Sequence, residues 1–320
     1  MRRGILAAGN FIVDRVKVID GYPAEDTLAN ILSEEASNGG GPFNVLVDLA
    51  RMGVGYPLEA AGLIGDDADG EWILRRCAEE GIDGSRLGRS GELPTSYTDV
   101  MTVAGTGRRT FFHQRGANAE FTGEELDFGK TEARIFHLGY LLLLDRLDSF
   151  ADDGRTFASH LLERARGAGL KTSVDLVSAA DDRFGEIVRS SLPETDLLFL
   201  NEIEAGKILL TELEGASKRD LGAAAQAILS LGVREVVTLH TEKFAVSATA
   251  GGGVFYQDAE RVPEEEIVGA NGAGDAFAAG FLHVVHEGGG VEEALGMAVR
   301  VAGESLRDAT PSGGVENIEH

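Results

Sequence analysis

Four short apolar runs, at 134–138 (RIFHL), 171–176 (KTSVDL), 196–200 (DLLFL) and 235–240 (EVVTLH), constrain the fold more than any other feature of the chain. Runs this short and this apolar are what the interior of a parallel sheet requires, because such strands are covered on both faces. Stretches with helical periodicity lie between them at 156–168, 202–210 and 221–231. Strand followed by helix, repeated, is the βαβ pattern, so the expected fold class is α/β with a mainly parallel sheet flanked by helices. Two regions depart from the rhythm. Residues 11–19 with 27–34, and 96–103 with 108–113, read as paired strands of mixed polarity, which predicts a small separate sheet able to act as a lid. The chain of 320 residues is expected to form a single domain over 1–320, with the lid built from about 11–36 and 95–117.

Helix starts are marked as well. Pro42 suits the first turn of a helix running to about Met52, and Thr122 with Glu125 has capping-box spacing. Two further helices are expected at 272–287 and 291–306, where Ala and Gly favour close packing.

Charge narrows the function. The formal net charge is −24, with 53 acidic against 29 basic residues, only six of them Lys. Nucleic acids and anionic membranes attract Lys and Arg, so neither is an expected partner. A phosphate site on such a chain has to be built locally from backbone N–H groups, helix N-termini and bound cations. No apolar run approaches the roughly 18 residues of a membrane span, and the opening MRRGILAAGNFIVDRV does not read as a signal peptide, so a cytoplasmic location is expected. Cys77 is the only cysteine, which rules out an intramolecular disulfide framework.

Residues 269–275, GANGAGD, open directly into the helical run AFAAGFLHVVHEG. A glycine-rich turn at a helix start exposes unpaired N–H groups and the positive end of the helix dipole, which together suit a phosphate or a developing anion. Asp275 follows within the first turn. Its bland role is to stabilise the dipole. Other nucleotide signatures fail: 123–131 has one residue too many for a Walker loop, and no G-x-G-x-x-G follows the first strand.

Three more stretches carry candidate chemistry. Asn38-Gly39-Gly40-Gly41-Pro42-Phe43-Asn44 reads either as a flexible surface loop or, since it feeds directly into a helix start, as a turn where Gly40 lets the backbone approach a polyhydroxylated ligand that Asn44 reaches. Gly9-Asn10-Phe11-Ile12-Val13-Asp14 ends the first strand, where ligands sit in α/β sheets, and Asp14 is placed to accept hydrogen bonds from sugar hydroxyls, although a lone Asp there is equally a turn residue. Asn201 and Glu204, at the end of another strand, have the spacing of a pair holding a hydrated magnesium ion, and equally that of a helix cap.

Together, in this order, these stretches resemble the ribokinase-like (PfkB) family of sugar and nucleoside kinases over nearly the whole chain. Gly39, Gly40 and Asn44, the run Gly62–Asp67 with Gly70, the N-x-x-E of Asn201 and Glu204, and Gly272-Ala273-Gly274-Asp275 carry the resemblance. It implies a Rossmann-like sheet with a small β lid, ATP with Mg²⁺, and transfer of the γ-phosphoryl group to a substrate hydroxyl. Residue by residue, it implies Asp275 as general base and Gly272, Ala273 and Gly274 as the anion hole. Asn201 and Glu204 become the magnesium–phosphate pair acting through water, Thr238 a nucleotide contact, and Asn10, Asp14, Gly40 and Asn44 substrate contacts. The lid becomes a surface for a homodimer.

The chain also departs from the family. Gly269 and Ala270 stand where members commonly have an Asp-Thr pair that helps bind a monovalent cation, and 238–244 (TLHTEKF), which includes His240, replaces a glycine-containing nucleotide turn. Position 41 is Gly where ribokinase-type members have Lys. The expected acceptor is therefore a small unphosphorylated sugar. A nucleoside is the runner-up, on the Asn10 and Asn271 spacings, and a catalytically silent sugar-binding protein is the third reading.

Overall fold

The computed structural model describes residues 2–106 and 108–316. Nine strands form one sheet in the order β13-β12-β11-β10-β9-β8-β1-β4-β5. They are β1 (Ile5–Gly9), β4 (Leu58–Gly65), β5 (Asp83–Ser90), β8 (Ile135–Leu141), β9 (Lys171–Leu176), β10 (Leu197–Asn201), β11 (Val236–His240), β12 (Phe244–Thr249) and β13 (Val254–Asp258). All neighbours are parallel from β5 to β11, and β12 and β13 add an antiparallel edge. The helices are α1 (Gly41–Arg51), α2 (Ala68–Glu79), α3 (Asp145–Asp148), α4 (Phe157–Gly167), α5 (Phe184–Ser191), α6 (Glu202–Leu209), α7 (Lys218–Leu229), α8 (Ala273–Glu287) and α9 (Val291–Ser305). Two apolar clusters cover the two faces of this sheet, one containing Phe43, Phe199 and Phe281 from α1, β10 and α8, the other Phe136, Leu162 and Ile228 from β8, α4 and α7. The α/β expectation holds.

A second sheet stands apart, in the order β3-β2-β6-β7, from β2 (Ile12–Ile19), β3 (Ile31–Gly39), β6 (Tyr97–Val103) and β7 (Arg109–Gln114). Its hairpins β2–β3 and β6–β7 are antiparallel and its centre, β2–β6, is parallel. These are the two expected pairs, with one difference. The strand expected from Thr27 begins at Ile31, because the Thr27 N–H and hydroxyl both bond to the Ala24 carbonyl and Asp20 ties to Asn30, closing a loop first. Likewise Thr122 and Glu125 open no helix. The Thr122 hydroxyl accepts the Glu124 N–H in a turn, and Asp127 makes another turn at Gly129 that leaves no room for helical turns before β8.

The strand order reverses between β1 and β8: from β1 the chain builds outward through β4 and β5, then restarts on the other side with β8. At such a switch point the loops diverge and leave a crevice beyond the carboxyl ends of the strands. Its floor is stitched by the Asn10 N–H donating to the Gly139 carbonyl at 2.9 Å and the Tyr140 N–H donating to Asn10 Oδ1 at 2.6 Å. Phe11 and Phe43, each next to a site residue, pack with tilted rings whose centroids lie 5.4 Å apart, and both are fully buried. Burying each is worth roughly 1.5–3 kcal/mol, so the backbone carrying Asn10 and Asn44 is anchored by core packing. Among the described residues, no helix is long and apolar enough to cross a membrane.

Candidate active site

A cavity of about 440 Å³ occupies the crevice. The four-stranded sheet contributes Asp14, Thr98, Phe111 and His113, the start of α1 contributes its N-cap Gly40 and Asn44, the strand ends Tyr140 and Asp175, and the 270–275 turn completes the wall. The sequence-predicted residues Asp14, Gly40, Asn44, Asn201, Glu204, Gly272, Ala273, Gly274 and Asp275 all line this one space.

Helix α8 starts here because Gly272 takes φ +77°, a conformation in which a side chain is strained, and a Cβ would also meet the Pro311 side chain at 2.6 Å. No side chain caps the helix, so N–H groups of its first turn are left for a ligand. The Asp275 carboxylate is buried beside them. It accepts from the Asn44 amide at 2.8 Å and lies 2.7 Å from the Tyr140 hydroxyl at both oxygens. Burial pushes its pKa up to about 6, with the bonds from Asn44 and Tyr140 opposing the shift. That range suits a base working near neutrality.

Asp14 stands on β2, held by the Asn271 amide at 3.4 Å, and burial pushes it up to about 7. Asp175 is raised well above the carboxylate range, first by burial and then by the charges of Asp275 and Glu204. Among the described residues, no Lys or Arg lines the cavity to offset these carboxyls.

Asn201 and Glu204 form a complete capping box on α6. The Glu204 N–H donates to Asn201 Oδ1 and the Asn201 N–H to Glu204 Oε2, each at 2.9 Å, while the Ser178 hydroxyl donates to Glu204 Oε1 at 2.8 Å. Each carboxylate oxygen keeps a free lone pair. Such oxygen donors fit a hydrated Mg²⁺ through water, and among the described residues no group of three or more His, Cys, Asp or Glu is arranged to hold a metal ion directly.

Two expected contacts fall elsewhere. Asn10 is fully buried and spends its side chain on the Tyr140 N–H and the Leu143 carbonyl, so it shapes the crevice from beneath. Thr238 points within the sheet to the Ser247 hydroxyl at 2.7 Å, and the residue two places on, His240, reaches the cavity instead. Residues two apart on a strand share a face, so His240 gains access from its place at the strand end. Sequence reasoning passed over Tyr140, Asp175 and Ser178. Tyr140 sits in the mainly apolar run 135–144 and carried no motif, whereas Asp175 at the end of an apolar strand was a usable signal.

The sequence profile described as "pfkB family carbohydrate kinase" matches residues 3–316. The ATP-dependent ribose-1-phosphate kinase of Halopiger xanaduensis is 30% identical over 297 residues, covering 91% of this chain and 88% of that protein. The 2-dehydro-3-deoxygluconokinase of Escherichia coli is 26% identical, covering 80% and 83%. In three dimensions, the Arabidopsis thaliana ribokinase solved with ribose and ATP superposes with a TM-score of 0.77 at 22% identity, covering 98% of this chain and 96% of that one, a likeness of fold. With the profile spanning nearly every residue and the cavity built from the same segments, the chain belongs to the pfkB family of carbohydrate kinases.

Proposed function

We propose that this chain transfers the γ-phosphoryl group of ATP to a hydroxyl of a small sugar, with Asp275 as the general base. The observation that carries the reading is a buried carboxylate, poised near 6, in the first turn of a helix that no side chain caps. Asn44 and Tyr140 hold its oxygens, so a sugar hydroxyl entering the cavity takes up the same carboxylate and gives it a proton. Asp14, Asn271 and Asn44 read the remaining hydroxyls, and the N–H groups of Gly272, Ala273 and Gly274 receive the charge of the group in transfer. Mg²⁺ bound to the nucleotide would neutralise phosphate charge. Glu204 and Asn201 would hold it through water, and the acidic cavity favours that cation over a bare anion. Closure of the β2-β3-β6-β7 sheet over the sugar keeps water from the donor.

The acceptor we favour is unphosphorylated, because no Lys or Arg among the described residues lines the cavity. A sugar phosphate is the second reading. It is supported by the ribose-1-phosphate kinase relative and by two lid donors that lack hydrogen-bond partners, His113 Nε2 and Arg109 Nη1. ADP release from Mg-ATP, screened against free sugars, sugar acids, sugar phosphates and nucleosides, separates these. Saturable turnover with a free sugar supports the first reading, turnover only with phosphorylated sugars replaces it with the second, and turnover only with a nucleoside refutes both.

The lid also suits a second copy of the chain. Its two edge strands β3 and β7 expose Ile31, Leu32 and Phe112, with Leu28 beside them. Two such surfaces related by a twofold axis would cover each other. Sedimentation should report a dimer that Leu32→Glu dissociates, and a monomeric wild type refutes it.

A further inference from the structure

Asn44 can hold Asp275 only if its amide faces the right way. A carboxamide is nearly symmetric in shape, with an oxygen that only accepts and a nitrogen that only donates. An ionised Asp275 accepts only, so Asn44 Nδ2 must point to it, as it does at 2.8 Å. Asn44 Oδ1 then needs a donor on its other side. Asn38 supplies it: its Nδ2 lies 2.7 Å from Asn44 Oδ1 and 3.0 Å from Ser312 Oγ. Asn38, Asn44, Ser312 and Asp275 are each no more than 4% exposed, so water does not stand in for any of them. In such a setting an unmatched polar atom is costly, and the whole chain of bonds keeps one sense.

We infer that Asn38 is a positioning residue that locks the Asn44 amide with its donor side toward the catalytic carboxylate. It does so from lid strand β3, where it pairs with Val13, the residue before Asp14. The strand that carries the lid thereby also sets the orientation of the group holding the base. The inference rests on the reading of Asp275 as base, but its consequence, a lowered affinity of Asp275 for its proton, is measurable without any substrate.

The test is a carboxyl ¹³C NMR titration of the full-length chain labelled at Asp Cγ, with Asp275→Asn identifying the Asp275 signal. Other titratable groups face Asp275: Tyr140 at the end of β8, Asp175 on β9, Asp14 on β2 and Asp48 on α1. Each is present in every variant, so differences between variants report position 38. Asn38→Asp keeps the shape but offers an acceptor, which turns the Asn44 oxygen toward Asp275. Losing one hydrogen bond to a charged group raises the Asp275 midpoint by about one unit. Asn38→Leu removes the donor without adding charge and gives a smaller rise. In an Asn44→Ala background the effect of Asn38→Asp disappears, because the link is gone, whereas a through-space charge effect persists there. A shift of equal size in that background overturns the inference. So does a folded Asn38→Leu chain whose midpoint stays at the wild-type value, or loss of folding in both variants, which assigns Asn38 to packing alone. A failed acceptor screen with these shifts intact would instead refute the kinase reading and leave the amide lock standing.

Discussion

The Tyr140 hydroxyl lies 2.7 Å from both oxygens of the Asp275 carboxylate. Burial with the neighbouring Asp275 charge raises the Tyr140 pKa, keeping it a neutral donor. Tyr140→Phe removes a bond that holds Asp275 in its ionised form. The acid limb of kcat, which should rise with pH through about 6 as Asp275 loses its proton, is expected to move up by about one unit. Activity well above that limb should change little. A pH–rate profile checks this, and an unmoved limb removes Tyr140 from the account.

Potassium should matter little. Gly269 and Ala270 carry no side-chain oxygen, and Gly269 packs against the Asp308–Ala309 backbone. Hard cations need several oxygen ligands. Phosphoryl transfer assayed in sodium, potassium and tetramethylammonium buffers should proceed at similar rates, and strong potassium-specific activation would contradict the expectation.

The lid should tighten when the sugar binds. Asp14, Thr98 and His113 reach the cavity from β2, β6 and β7, so a bound ligand bridges the lid to α1 and α8. Amide hydrogen exchange in 12–19, 31–39 and 97–114 is expected to slow on saturation. Unchanged exchange would show that the sheet is a fixed wall.

Asp48 predicts a pH-dependent cost in stability. It is fully buried, and burial raises it well above its ordinary 3.8, outweighing the opposing effects of the Ser312 hydroxyl and the Arg51 charge. The folded chain thus keeps a proton that the unfolded chain gives up near pH 4. Stability falls as pH rises from there toward the folded-state pKa. Asp48→Asn removes that dependence, so its Tm should exceed wild type by several degrees at pH 8 and by less at pH 5, at about 2–4 °C per kcal/mol. A Tm difference that is equal at both pH values would show that Asp48 does not titrate in this way.

Most of the architecture was legible in the sequence because it rests on local patterns. The apolar runs at 171–176 and 235–240 became β9 and β11, and Pro42 and Gly272 marked helix starts that the structure keeps. The site was legible where a motif needs particular backbone, as at Gly40 with φ +85° and at the 272–275 turn. It was illegible where a role depends on partners distant in sequence. Tyr140 bonds Asp275 across 135 residues and Ser312 meets Asn38 across 274, and neither residue has a local pattern that announces it. Asn10 and Thr238 show the converse: strand-end residues with suggestive chemistry whose side chains the sheet uses for itself.

The central claim is that Asp275 takes the proton of the acceptor hydroxyl. Base catalysis contributes roughly 10²–10⁴-fold, so with the best acceptor from the screen and saturating Mg-ATP, Asp275→Asn should lower kcat by about that range while KM for the acceptor changes little. A folded Asp275→Asn chain turning over at the wild-type rate would contradict the account.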